Sequence, residues 1–186
     1  VQKLAGCVAA LSRFISRLGE KALPLYRLLR RTDNFEWTDA ATAGLEEIKA
    51  LLASNPILAA PNAGEPMLLY ISATHQVVSA VLVVEREQDG HKFPLQKPVY
   101  YVSTVLTPCK SRYPHYQKIA YAVFMASRKL RHYFQECSIT VASEVPLNDI
   151  INNRDAMGRI AKWAIELLPF DITYKPRRAI KSQVLA

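Results

Sequence analysis

The chain has 186 residues, half of them hydrophobic, and a formal charge of +8; it can hold one sizeable domain, or an ordinary domain with a smaller appended piece, around a packed core. No apolar run approaches the roughly 20 residues of a membrane span, and the start Val1-Gln2-Lys3-Leu4 has neither an initiator methionine nor a signal-peptide layout, as expected for a piece of something longer. Cys7, Cys109 and Cys137 are odd in number, far apart and outside any CxxC or Cys/His cluster, which argues against a disulfide framework or a zinc site and for a reducing, intracellular setting.

Leu4, Val8, Leu11, Ile15 and Leu18 recur at steps of four and three, which predicts an amphipathic helix over residues 2–19. Pro24 opens a short helix carrying Leu25, Leu28 and Leu29, broken at Asp33-Asn34. Trp37-Thr38-Asp39 then supplies a cap before Leu45, Ile48, Leu51 and Leu52, a further helix that stops near Asn55-Pro56. Three helices thus precede any strand. The turn-forming run Pro61-Asn62-Ala63-Gly64-Glu65-Pro66 sets a domain boundary, giving a helical segment 1–60 and a second unit 61–186.

Beyond it, residues 67–72 and 77–85 are β-branched and apolar, Glu87-Gln88-Asp89-Gly90 forms a hairpin loop, and 98–104 gives a third strand of an antiparallel meander. A long helix is expected over 115–134, then a strand at 138–143, helices at 147–152 and 158–168, and a last strand at 171–174. The fold class is mixed α+β and α/β, in the order β-β-β-α-β-α-α-β.

The positive charge is uneven. Between Thr107 and Gln135 stand Lys110, Arg112, Lys118, Arg128, Lys129 and Arg131 with no acidic residue; further basic groups are Lys175, Arg177, Arg178 and Lys181, and Lys3, Arg13, Arg17 and Lys21. Such patches favour polyanions through counterion release, and equally serve as a solvated surface. At 3.6 residues per turn Lys118, Arg128, Lys129 and Arg131 cannot all share one helix face, although Lys118 and Lys129 point similarly.

Particular runs carry a family resemblance. Leu4-Ala-Gly-Cys-Val-Ala-Ala-Leu-Ser-Arg-Phe-Ile15, Pro24-Leu-Tyr-Arg-Leu-Leu29, Phe35-Glu-Trp37 and Pro56-Ile-Leu-Ala-Ala-Pro61 resemble the end of the reverse transcriptase in gypsy-type LTR retrotransposon polyproteins. Pro98-Val-Tyr-Tyr-Val-Ser103, Arg112-Tyr113, Arg131-His-Tyr-Phe134, Arg159-Ile-Ala-Lys-Trp163 and Ala179-Ile-Lys-Ser-Gln183 resemble the ribonuclease H-like domain that follows it. The resemblance covers essentially the whole chain. It is closest to a divergent branch, common in plant genomes, in which this domain has decayed and another RNase H-like domain follows.

The resemblance implies a ribonuclease H-like fold preceded by a helical thumb-like or connecting segment, and a position-by-position test of catalysis. An active enzyme uses four carboxylates around two Mg²⁺ ions about 3.5–4 Å apart. The family's first aspartate aligns with Ser72, its helix glutamate with Ile119, and its next aspartate with Glu144; the last would lie past Ala186. The catalytic set is therefore expected to be empty, with Ser72, Ile119 and Glu144 as degenerate positions, no metal site and no cofactor for this segment.

Other candidate groups have ordinary readings. His75, His91, His115 and His132 accompany no nucleophile and are expected at the surface or a strand edge. Tyr113, Tyr116, Tyr121 and Tyr133 are read as packing residues, with stacking on bases as the alternative. Trp37 and Trp163 are read as packing anchors with locally partnered N–H groups. Glu85, Glu87, Glu144 and Asp149 are the substitute ligands that an active hybrid ribonuclease, dependent on Mg²⁺, would have to use.

The leading expectation is a retrotransposon-derived, connection-type module that supports the polymerase and touches an RNA/DNA hybrid or template-primer duplex through its backbone, with Lys118, Arg128, Lys129 and Arg131 as the contacts. The parent polyprotein is an RNA-directed DNA polymerase and ribonuclease H, but this segment is expected to lack both activities. Its partners are the rest of the reverse transcriptase and the downstream RNase H part, in a cytoplasmic particle or the nucleus and not at a membrane. Alternatives are the active ribonuclease and a purely structural or protein-interaction domain.

Overall fold

A computed structural model describes residues 2–30, 36–54, 57–90, 93–153 and 158–177. Five strands, β1 (Met67–Ala73), β2 (Val77–Arg86), β3 (Leu95–Val105), β4 (Ile139–Ser143) and β5 (Ile172–Pro176), form one sheet in the order β3-β2-β1-β4-β5. The first three are antiparallel, whereas β4 runs parallel to β1 and β5 parallel to β4.

Alternation along the strands decides which face is dry. Met67, Leu69 and Ile71 of β1 and Val78, Ala80, Leu82 and Val84 of β2 are buried together, as period-two patterning requires. Against this inner face lies α6 (His115–Lys129), whose Ile119, Ala120, Ala122, Val123 and Ala126 are each at most 1 % exposed. The last helix, α9 (Arg159–Leu167), closes the layer: the Trp163 ring centroid is 5.6 Å from that of Tyr121 and 5.9 Å from that of Phe124.

Four local expectations change. The stripe from Leu4 to Leu18 is not one helix: α1 (Gln2–Ala10) gives way to a 3₁₀ turn (Ser12–Phe14) and then α2 (Leu18–Lys21). Ile15 is extended and Arg17 left-handed at φ 52°. The break turns Ile15 and Leu18 into a core and leaves Leu11 at the surface; burial there outweighs the marginal stability of a short helix. With α3 (Leu23–Arg30) and α4 (Asp39–Ala53), four α-helices rather than three precede the sheet among the described residues.

The long helix likewise ends at Leu130, and α7 (Arg131–Glu136) starts afresh, which brings both Leu130 and Phe134 to 1 % exposure. Strand β3 starts at Leu95, ahead of Pro98, because the register shifts between Leu82 and Val83: Leu82 pairs with Tyr100 and Val83 with Pro98. A bulge on an edge strand accommodates a residue with no N–H to give. A short helix, α5 (Pro108–Ser111), was not expected, while α8 (Leu147–Ile151) was. The breaks expected at Asp33-Asn34 and Asn55-Pro56, and His91, Arg178, Lys181 and the run 179–183, lie outside the described residues.

The N-terminal helices have a second core of Val8, Ile15, Leu18, Ala22, Leu25, Leu28, Ala41 and Ile48. Thr38 caps α4, its hydroxyl accepting from the Ala41 N–H at 3.3 Å. This unit sits on the other face of β2 and β3. The Gly19 N–H donates to Ser103 Oγ at 2.9 Å, Ser103 Oγ meets Ser79 Oγ at 3.0 Å, and Arg27 donates to Gln76 Oε1 at 2.8 Å. Arg13 lies 5.2 Å from the Tyr100 ring centroid.

The turn between the two units is held by Glu65. Its carboxylate accepts from Arg86 Nε and Nη2, both at 2.9 Å, and from the Asn62 N–H at 2.8 Å. These bonds hold its pKa down at about 2 against an ordinary 4.5. A depressed carboxylate contributes stability that is complete above its unfolded pKa and is lost as pH falls through the folded one. Thermal melts between pH 7 and pH 2 should therefore show a steeper acid loss in the native chain, from about pH 4.5 downward, than in Glu65→Gln. Parallel curves would remove Glu65 from the acid limb.

Candidate functional site

The three positions that the resemblance matches to metal ligands do not supply a set of carboxylates. Ile71, beside Ser72, points into the core that holds Ile119, so alternation sends Ser72 to the opposite face, where it is exposed and pairs in register with Ser79. Ile119 is 1 % exposed in the first turns of α6, a site that admits neither water nor a metal ion. Glu144 follows β4 with an exposed side chain, and its carboxylate lies 2.7 Å from His115 Nε2. That contact ties the start of α6 to the end of β4.

The other proposed ligands lie elsewhere. Met67 pairs with Val84, so Glu85 lies beyond the start of β1, whereas Glu144 lies beside its end. At about 3.3 Å per residue, the seven residues of β1 separate the two by roughly 20 Å. Glu85 also accepts a 2.9 Å hydrogen bond from Gln96, Glu87 falls in the hairpin loop past Arg86, and Asp149 is exposed on α8. No three His, Cys, Asp or Glu side chains converge on a metal-sized space among the described residues.

Comparison with known proteins adds the family. The model of the RNase H-like domain found in reverse transcriptase matches residues 37–141, more than half of the chain. The chain belongs to this family. Its curated relatives include the Tf2-3 and Tf2-4 transposon polyproteins of Schizosaccharomyces pombe, each 26 % identical over 192 aligned residues that cover 96 % of this chain. The chain spans only 14 % of the length of these polyproteins.

Similar solved structures include a foamy viral protease-reverse transcriptase in complex with an RNA/DNA hybrid, with TM-score 0.74, 21 % identity, and coverage of 96 % of this chain and 24 % of that one. A second, in complex with dsDNA, has TM-score 0.72 and 22 % identity, covering 98 % and 38 %. At this identity the likeness establishes the fold, and with it the expected ribonuclease H-like architecture.

A two-Mg²⁺ centre of the ribonuclease H type does not fit the described side chains at the three positions that the resemblance singles out. Such a centre needs hard oxygen donors on one side of a shared space. Here a hydroxyl, a core isoleucine and a carboxylate already paired with a histidine stand at the positions that the family resemblance alone would match to metal ligands.

The basic candidates separate into different environments. Lys118 is 6 % exposed and its ammonium donates to the His75 carbonyl at 3.1 Å, so it fastens α6 to the β1–β2 turn and is withheld from the surface. Its long stem runs through the core to a polar tip, a use of lysine that composition does not show. Arg128 points toward α9, 5.5 Å from the Phe124 ring centroid and 4.0 Å from Glu166. Lys129 turns the other way, donating to Thr104 Oγ1 at 3.0 Å and the Ser103 carbonyl at 3.4 Å on the edge strand, and desolvation lowers its pKa. Arg131 is exposed.

Most of the aromatic candidates pack. Tyr113 and Tyr121 adjoin Trp163, Lys110 sits 4.4 Å over the Tyr121 ring, and Arg159 sits 4.2 Å over Tyr113; Tyr116 is 39 % exposed. Tyr133 lies 4.0 Å from the exposed His132 ring. Trp163 is the buried anchor expected, but Trp37 is 40 % exposed, its N–H donating locally to Thr42 at 2.7 Å. Three features escaped the sequence: the His115–Glu144 pair, the inward Lys118, and a cleft joining Arg27 to Lys129. Only a fold that brings residues about a hundred apart together reveals the last. No helix among the described residues is long and apolar enough to cross a membrane.

Proposed function

We propose that this chain is a connection-type module of a retrotransposon polyprotein, keeping the ribonuclease H-like scaffold as architecture and touching a template-primer duplex without cutting it. The observation that carries this reading is Ile119: the position matched to the metal-binding glutamate is packed at 1 % exposure inside an otherwise complete core. Segment 1–60 represents the end of the polymerase and 61–186 the RNase H-like unit. Their partners are the remaining polymerase and a downstream nuclease of the same intracellular polyprotein.

The acid-free stretch 107–135 and the net charge of +8 support duplex contact, as do the solved neighbours, which were captured on a hybrid and on dsDNA. Backbone recognition is independent of sequence and releases counterions. Arg128, Lys129 and Arg131 are the groups proposed to reach phosphate, and no metal cofactor is assigned to this segment.

Two measurements test the proposal. Hybrid affinity should fall with salt, with a log–log slope of about −0.9 per phosphate contact, and replacing Arg131 by Gln should flatten the slope by about one. A flat salt response would instead favour a protein-interaction role. Incubation with a hybrid and Mg²⁺ or Mn²⁺ should leave the RNA intact; cleavage that Glu144→Ala abolishes would establish the nuclease and end the connection reading.

A further inference from the structure

The helical segment and the sheet do not close completely on each other. Between them lies a cleft of about 760 Å³, walled by α2, α3, the end of β3 and α5, within the range of roughly 300–1,000 Å³ usual for small-ligand sites. Arg27 enters from one wall and Lys129 from the other, and none of the lining residues is acidic. Both cations donate to neutral groups, Arg27 to Gln76 Oε1 and Lys129 to Thr104 Oγ1 and the Ser103 carbonyl. Tyr26, half-buried, and the apolar Leu23, Leu29 and Pro108 line the same space.

We propose that this cleft holds one or two unpaired nucleotides of a nucleic-acid strand, with phosphate between Arg27 and Lys129 and a base against Tyr26. The combination of a positive groove and an aromatic ring is what sequence-independent single-strand binding uses. A cleft of this volume is filled by one or two nucleotides and does not enclose a base-paired duplex. An ammonium on Lys129 that has lost part of its hydration and faces only neutral acceptors gains most from an arriving anion. The inference rests on the duplex reading in one respect: the unpaired strand is taken to extend from a duplex held on the outer surface.

Fluorescence anisotropy on the 186-residue chain separates the two ideas. The probes are a blunt RNA/DNA hybrid, the same hybrid with a four-nucleotide single-stranded extension, a free tetranucleotide and thymidine monophosphate. The extension should tighten binding by about tenfold, a stacking contribution of ordinary size, and Arg27→Gln, Lys129→Gln or Tyr26→Leu should each remove most of that gain. Blunt-hybrid binding should survive Arg27→Gln and Tyr26→Leu, and unchanged melting curves verify the fold.

If the extension adds nothing, or its gain survives all three substitutions, the cleft assignment is overturned while the duplex reading stands. Tetranucleotide binding that depends on Arg27, with no binding of the blunt hybrid, keeps the cleft and defeats the duplex reading. Thymidine monophosphate binding as tightly as the tetranucleotide would make this a free-nucleotide site and overturn the strand assignment.

Discussion

Ile119→Glu destabilises the chain by on the order of 3–5 kcal/mol and yields no hybrid cleavage, even combined with Ser72→Asp. At 1 % exposure Ile119 is enclosed by the inner face of the sheet and by its own helix, so a carboxylate there finds neither water nor a designed partner. The new group responds by holding its proton, and its folded pKa rises above the unfolded value of about 4.3. A raised acid binds protons more tightly when folded, so the charge-burial part of the loss is full above the folded pKa, shrinks as pH falls through it, and is gone below the unfolded value. Ile119→Val, which removes one methyl group, should cost only about 0.5–1.5 kcal/mol. Urea unfolding at pH 7 and pH 4 measures all three chains. A glutamate variant as stable as the valine variant at pH 7 would mean that the position faces solvent, and a metal centre could then be rebuilt.

The same residue shows how far the sequence could be read. Ile119 was matched to a catalytic glutamate only through the family resemblance, whereas the hairpin of β1 and β2 followed from two β-branched, apolar runs. What escaped notice depended on contacts between distant segments. Leu4 to Leu18 is a faithful helical stripe, yet the chain turns at Ile15 and Arg17, and the break gathers Val8, Ile15 and Leu18 into one core with the later helices. Lys118 counted as part of a basic patch, and only its carbonyl partner across 43 positions makes it internal.

Charge was similarly legible in amount and illegible in direction. The first turn of one helix sends Lys118 inward, and its last turn sends Arg128 toward α9 and Lys129 over the edge of the sheet. The prediction that they cannot share a face was a matter of helix geometry. Which of them remains available for phosphate depends on what packs beside each.

Gly44→Ala and Gly19→Ala should each destabilise the chain, although alanine normally favours a helix over glycine by about 1 kcal/mol. A Cβ on Gly44 would stand 2.6 Å from the Lys21 carbonyl oxygen, which is backbone and cannot rotate away; α4 must slide off α2. On Gly19 it would stand 2.6 Å from Ser103 Oγ and 2.8 Å from Val77 Cγ1, displacing the hydroxyl that accepts the Gly19 N–H. Overpacking of this kind costs about 1–3 kcal/mol, which outweighs the propensity gain in most of that range. Gly6 is the control: it lies in α1 with nothing within 4 Å of its would-be Cβ, so Gly6→Ala should be neutral or stabilising. The same one-methyl change thus has opposite signs at positions that differ only in their neighbours, and denaturant midpoints for the three variants decide it. Equal midpoints for Gly6→Ala and Gly19→Ala would show that the helical segment is not clamped to the sheet at Ser103. The cleft between Arg27 and Lys129 would then lose the wall that defines it.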